Sequence, residues 1–208
     1  LLKTLEQFKV ALALTFDYGQ RAAKREVEFA GKLAAHFKVP HKVVELPWFR
    51  DFTKTTLIDR SAIVPRGGDV EIDSLERSKE TAKAVWVPNR NGIFLNIAAG
   101  FAEGLGARYI VPGFNLEEAQ TFPDNSGAYL KSLDDAFAFS TQNRVSTYCY
   151  STHLNKTQIV KEAQRLDLPL NLLWPCYLDG EKWCGTCESC QRFKRALSDN
   201  GLDMGALQ

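Results

Sequence analysis

Long apolar runs, histidine clusters and net charge are all scarce in this chain. No apolar stretch approaches the roughly 20 residues that a bilayer-spanning helix needs. The opening residues, LLKTLEQFKV, lack the basic, apolar and small-residue order of a secretory signal. Together these absences lead us to expect a cytoplasmic protein with no membrane partner. The formal net charge is only +1, so bulk electrostatics do not call for a stable nucleic-acid partner. His36, His41 and His153 show no ligand spacing and are given no role. Internal repeats, low-complexity tracts and coiled-coil heptads are also missing. The sequence opens on Leu1 within a helical-looking segment, so further residues are expected upstream.

What is present suits a globular enzyme. Hydrophobic residues make up 45% of 208 residues, enough to bury a sizeable core in one domain with a small appendage. Of five cysteines, all but Cys149 fall between positions 176 and 190. An odd count without a secretory signal argues against a disulfide framework and for a metal site.

Periodicity outlines an α/β chain. Lys9 to Phe16 is a short apolar, β-prone run and reads as a buried strand. Arg21 to Phe37 has helical apolar spacing and is stopped by Val39-Pro40. Lys42 to Leu46 reads as a second strand, completing a parallel crossover. Trp48 to Lys83 has weak periodicity and reads as a long loop with short helices, a candidate lid. Further helices are expected over Asn91 to Leu105, Ala128 to Phe139, Lys156 to Leu166 and Glu188 to Leu197. Gly104 or Gly106 would cap the first of these, and Asn155 would N-cap the third. Arg108 to Val111 and Val145 to Tyr150 read as further strands. The alternation predicts a doubly wound, mostly parallel sheet with a small C-terminal metal-binding segment. Ligands of such sheets bind beyond the carboxyl ends of the strands, which singles out Thr15 to Arg21 and Gly113 to Asp124.

Cys176, Cys184, Cys187 and Cys190 are spaced C-x7-C-x2-C-x2-C. Four thiolates satisfy tetrahedral Zn2+ and leave no open position, so the site is expected to be structural. An iron–sulfur cluster is the main rival reading, and unliganded thiols are a third. Cys149, alone in an apolar run, reads as a core thiol.

The other polar segments each have a plain and a chemical reading. Thr15-Phe16-Asp17-Tyr18-Gly19-Gln20-Arg21 is either a polar turn or a ligand-facing strand end. Val87-Pro88-Asn89-Arg90-Asn91 is either a capped helix start or an anion site at a helix N-terminus. Gly113 permits close approach to the backbone before Asn115. Phe122-Pro123-Asp124-Asn125 is either a turn or an aromatic face beside a carboxylate and an amide, suited to a flat heterocycle. Lys156 is ill placed for the helix dipole unless an anion is near, although a solvated lysine is the commoner case.

ALTFDYGQRA, VPNRN, AEGLGA, GFNLEEAQTFPDNS, LNKTQIV and PCYLDGEKWCGTCESC, taken in this order, resemble the 7-cyano-7-deazaguanine synthase family of PP-loop ATP pyrophosphatases. The resemblance covers nearly the whole chain. It implies a PP-loop α/β region over residues 1–170 and a zinc-binding segment over residues 171–208. It also implies ATP and Mg2+, the substrates 7-carboxy-7-deazaguanine and ammonia, and a homodimer. By resemblance, Thr15, Phe16, Asp17 and Tyr18 should lie near the adenosine, with Asn91 and Gly113 also on the nucleotide. Gln20 and Arg21 should lie near the reacting groups, and Arg90 and Lys156 should face phosphate oxygens. Asn115, Phe122 and Asp124 should hold the deazaguanine.

The chain departs from the family pattern twice. The SGGxDS pyrophosphate-binding loop is absent and would end just before Leu1. Many bacterial members read PDC where this chain has Pro123-Asp124-Asn125, a form similar to the archaeal-type branch. Other readings are a relative that stops at the amide or attaches the deazapurine to a macromolecule, a zinc-knuckle module that binds nucleic acid, and a sulfur-transferring enzyme for tRNA.

Overall fold

The computed structural model describes residues 1–203. In chain order its regular elements are α1 (Leu2–Gln7), β1 (Ala13–Asp17), α2 (Ala23–His36), β2 (His41–Glu45), α3 (Leu75–Val85), α4 (Arg90–Gly104), β3 (Tyr109–Ile110), α5 (Leu116–Ala119), α6 (Gly127–Ser140), β4 (Ser146–Thr147), α7 (Lys156–Arg165) and α8 (Glu188–Asp199). They fall into two compact units, each assembled from two stretches of chain. One comprises Leu1–Ala11 with Asn89–Asn155, and the other Leu12–Pro88 with the chain from Lys156 onward.

In the second of these units, β1 and β2 pair in parallel from Ala13↔His41 to Asp17↔Glu45. Helix α2 is the crossover that the apolar spacing predicted. Its end is set by Lys38, which turns to a left-handed φ of 54°. The Val39 and Lys38 N–H groups then close onto the carbonyls of Ala34 and Ala35 at 2.9 and 3.0 Å, satisfying the last turn. Pro40 follows and cannot continue a helix.

The segment expected as a long loop is better ordered than its pattern suggested. It contains 3₁₀ turns at Pro47–Asp51 and Gly67–Asp69, then the eleven-residue helix α3. The Ser74 hydroxyl caps α3 by accepting from the Arg77 N–H at 3.3 Å. Phe49, Leu57, Val64, Val70 and Ala82 are buried along this stretch. The C-terminal part packs α7 on α8. Its core holds Val160, Leu170, Trp183, Phe193, Ala196 and Leu197. Burial of each large apolar side chain contributes about 1.5–3 kcal/mol.

In the other unit, Leu95, Ala99 and Ala102 of α4 meet Leu130, Leu133 and Phe137 of α6 over Ile110 and Val145. Of the two expected caps, Gly106 serves α4. It takes φ 66° while the Ala107 N–H closes onto the Ala102 carbonyl at 2.8 Å. β3 and β4 pair in parallel but are two residues each, shorter than the sequence suggested. Pro112, which has no N–H to extend the ladder, lies just beyond β3. The fold is thus helix-rich α/β with parallel pairing. Among the described residues the ladders form two two-stranded sheets, β1-β2 and β3-β4. No described helix is long and apolar enough to cross a membrane.

Candidate active site and metal centre

The four C-terminal thiols converge. Cys176 follows Pro175 in the loop after α7, Cys184 and Cys187 flank Gly185, and Cys190 lies in the first turn of α8. Gly185 takes φ 71°, which lets the short turn fold back on itself. The four sulfurs all lie within 4.8 Å of one another, and Cys184 and Cys190 are 4.0 Å apart. Tetrahedral metal–sulfur bonds of ~2.3 Å would separate sulfurs by about 3.8 Å, so the donor set fits one closed four-coordinate ion such as zinc. The cysteines are unpaired by disulfides.

Backbone N–H groups of Leu178 and Cys184 donate to the Cys176 sulfur at 3.4 Å, and that of Cys187 donates to the Cys184 sulfur at 3.3 Å. Such donors favour thiolates. Hydrogen bonding among the buried sulfurs splits their ionisation without a cation. Cys187 is drawn down to about 2 by Cys176 and Cys190, while Cys176 is pushed up to about 12 by Cys187. Cys190 is also pushed up, first by its contact with Cys176. A dication would relieve this competition by holding all four as thiolates.

The cluster is tied to the preceding part of its unit. Cys187 forms an antiparallel bridge with Arg66, and the Gly67 N–H donates to the Thr186 carbonyl at 2.9 Å. The Trp174 ring packs tilted against Phe29 at 5.2 Å and lies under the Arg25 guanidinium at 5.5 Å.

At the carboxyl end of β1 the polar groups are organised by one another. The Asp17 carboxylate accepts from the Gly19 N–H at 2.9 Å, and Gly19 takes φ 85°. Gln20 is buried. Its amide donates to the Phe16 carbonyl at 3.1 Å and to Glu26 at 2.7 Å, and its oxygen accepts from the Tyr18 N–H at 2.9 Å. Arg21 donates to the Thr56 and Asp59 carbonyls at 2.6 and 2.5 Å, and also to that of Ala62. Its guanidinium therefore clamps the loop after β2. Tyr18 is buried with its ring 5.4 Å from Phe49. The Thr15 hydroxyl bonds His41 Nε2 at 2.8 Å. Sequence reading gave His41 no role, and only the parallel register brings it to Thr15. Lys156 opens α7 in this same unit and is partly buried.

A second polar cluster surrounds the N-terminus of α4, in the other unit. Asn89 stands at the N-cap with a left-handed φ of 52° and makes no side-chain cap bond. Arg90 Nε donates to the oxygen of the buried Asn91 amide at 3.3 Å. Asp124 lies in a 3₁₀ turn, Pro123–Asn125, that packs on α4, α5 and α6. Its carboxyl accepts from the Asn125 amide at 3.2 Å and is also hydrogen-bonded by Asn91. Burial raises its pKa, against the lowering effects of the Arg90 charge and these amides. Tyr129 of α6 is raised too, by burial and then by the Asp124 charge.

The other expected residues fall around this cluster or nearby in the same unit. Asn115 is buried and caps α5 by accepting from the Glu118 N–H at 3.0 Å. Phe122 precedes the Asp124 turn. Gly113 has open space where a Cβ would project. Gly92 is the opposite case, because an added Cβ would fall 2.1 Å from Asn89 Oδ1 and 2.7 Å from the Tyr129 hydroxyl. Asn89 and Asn125 were read only within VPNRN and Phe122-Pro123-Asp124-Asn125, and Gly92 and Tyr129 were not singled out as site residues. The glycine directly after VPNRN was the available signal.

The family profile described as "Queuosine biosynthesis protein QueC" matches residues 1–201. A 7-cyano-7-deazaguanine synthase of Bdellovibrio bacteriovorus is 56% identical over 94% of this chain and 85% of its own length. The synthase of Pelotomaculum thermopropionicum is 46% identical over 97% of this chain and 91% of its own length. That of Methanosarcina mazei is 47% identical over 95% and 87%. A chain with this four-thiol cluster, this α4 N-terminus and this near-complete likeness belongs to the QueC family of queuosine biosynthesis proteins.

Proposed function

We propose that the protein converts 7-carboxy-7-deazaguanine and ammonia, at the expense of ATP, to 7-cyano-7-deazaguanine for queuosine or archaeosine biosynthesis. The observation that carries this reading is the 56% identity to a curated synthase over 94% of the chain. A carboxylate is a poor electrophile. Transfer of AMP to one carboxylate oxygen releases pyrophosphate and creates a leaving group, which ammonia displaces to give the amide and AMP. A second adenylation, on the amide oxygen, releases another pyrophosphate. Loss of AMP and two protons then leaves the nitrile. Ordinary positioning and charge stabilisation can supply much of the acceleration.

Thr15, Phe16, Asp17 and Tyr18 take the adenosine at the end of β1, with the Asp17 turn held by Gly19. Gly113 leaves room for the nucleotide backbone-side. Gln20 and Arg21 fix the polar turn and the Thr56 to Ala62 loop beside the reacting groups. Arg90 and Lys156 face phosphate oxygens, each at the start of a helix whose N-terminal N–H groups favour anions. Asp124 accepts from the guanidine-like edge of the deazaguanine, Phe122 offers a stacking face, and Asn115 orders the adjoining turn.

The four cysteines hold a structural Zn2+, and Mg2+ enters with ATP. Residues 1–170 then form the PP-loop ATP-binding part, with the doubly wound sheet of that class, and residues 171–208 the zinc-binding segment. The working form is a cytoplasmic homodimer with small-molecule substrates and no nucleic-acid partner.

Mass spectrometry of products from the full-length protein, ATP, Mg2+, ammonia and the acid tests the reading. Nitrile with two AMP per turnover is expected. Amide accumulating without nitrile would point to a relative that stops one step earlier.

A further inference from the structure

Asn91 was expected on the nucleotide, yet its amide is engaged elsewhere. The residue is 6% exposed and stands second in α4. Its oxygen accepts from Arg90 Nε at 3.3 Å, and its side chain hydrogen-bonds the Asp124 carboxyl. Since a carboxylate only accepts, the Asn91 NH2 is the donor in that bond. One planar group therefore accepts from the cation and donates to the anion. A planar amide does this from two separate atoms, oxygen and nitrogen. Aspartate would accept from Arg90 but place a like charge against Asp124, and leucine would leave both partners unmet.

We propose that Asn91 is a positioning residue that locks the phosphate-facing Arg90 and the heterocycle-facing Asp124 into one fixed relation without itself contacting the nucleotide. The proposal rests on the synthase reading for the roles of its two neighbours, but the bridge itself does not depend on that reading. Asn125 supports the same carboxyl from the other side at 3.2 Å, so the Asp124 oxygens are aimed by two amides. A fixed separation between a charged phosphate ligand and a carboxylate that reads a heterocycle would favour one substrate pose over others.

Two measurements test the bridge. The first is urea unfolding of Asn91→Asp, Asp124→Asn and the double variant. Asn91→Asp is expected to lower the midpoint. The double variant restores it by more than Asp124→Asn alone changes the wild type, because the amide and carboxylate have exchanged places while Arg90 keeps an acceptor. A double variant whose change equals the sum of the two single changes, or one that does not fold, would overturn the bridge whether or not the protein is a synthase.

The second is steady-state kinetics of Asn91→Asp. Its KM for 7-carboxy-7-deazaguanine is expected to rise about tenfold, as for a lost hydrogen bond to a charged group, with KM for ATP near the wild-type value. A selective rise in KM for ATP would make Asn91 a direct nucleotide contact and sink the proposal. Unchanged constants for both substrates would sink it equally. If wild type makes neither amide nor nitrile, the synthase reading fails while the unfolding data still judge the bridge.

Discussion

The Arg192 guanidinium donates to the buried Ser78 hydroxyl at 3.1 Å and so clips α8 to α3. The same guanidinium pairs with Glu188 at 2.9 Å, with both side chains only about a tenth exposed. Glu188 in turn accepts from the Thr81 hydroxyl at 3.3 Å. Removing the cation strands a nearly buried carboxylate. Arg192→Met is therefore expected to cost about 3 kcal/mol in urea unfolding. Ser78→Ala, which leaves the ion pair intact, should cost about 1 kcal/mol. Equal losses for the two would show that the ion pair contributes little.

Metal removal should loosen more than the cysteine loop. Because Cys187 bridges Arg66, and Gly67 donates to Thr186, chelation is expected to speed amide exchange at Gly67 as well as around the thiols. Elemental analysis of wild type should give one zinc per chain, and Cys187→Ser should give none. Acid should release the ion, since protons compete for the thiolates. Exchange at Gly67 that ignores the metal would uncouple the two segments.

Asp124 carries a stability penalty that depends on pH. Burial raises its folded pKa above the unfolded value, so above that unfolded value the unfolded state loses its proton more readily. The penalty is thus present at neutral pH. It fades as pH falls through the raised folded pKa and is gone once both states are protonated. Asp124→Asn is expected to be at least as stable as wild type at pH 7, with the difference vanishing on acidification. A variant that is less stable at pH 7 and level with wild type only at higher pH would reverse this sign. The same shift should move the acid limb of activity above the ordinary aspartate range.

Gly92 should resist the usual gain from alanine in a helix. Propensity favours Gly92→Ala by about 1 kcal/mol. The new Cβ, however, would collide with Asn89 Oδ1 and the Tyr129 hydroxyl, so both side chains must move. A net loss of about 1–2 kcal/mol in thermal unfolding is expected. Adding Asn89→Gly should recover most of it, since glycine suits the left-handed φ of 52° and removes the nearer obstacle. A stabilised Gly92→Ala would mean that the side chains yield freely.

How much of this could be read from the chain varies with range. The β1-α2-β2 crossover was legible because an apolar run, a helical stripe and Val39-Pro40 are local signals. Four cysteines at short spacing were legible for the same reason. Helix α3 was not, since LERSKETAKAV presents little apolar stripe and is held instead by Ser78 and Thr81, with Asp73 just ahead of the helix, meeting Arg192, Glu188 and Arg195. The partners of Asn91 and Arg21 were also hidden. Asp124 is 33 positions from Asn91, and the carbonyls that Arg21 grips lie 35 to 41 positions away on a loop without a pattern. Backbone carbonyls leave no mark in a sequence.

The discontinuous build of the second unit has a consequence during synthesis. Its β1-α2-β2 crossover and α3 emerge from the ribosome early, but α7, the thiols and α8 follow only after residues 89–155 have been made. Val64 and the underside of α3 must wait for Trp183, Phe193 and Arg192 to arrive. The nascent chain therefore carries an unfinished apolar face through much of translation. Its closure falls to the last cysteine-bearing turn, so the four thiols come together only as this unit is completed.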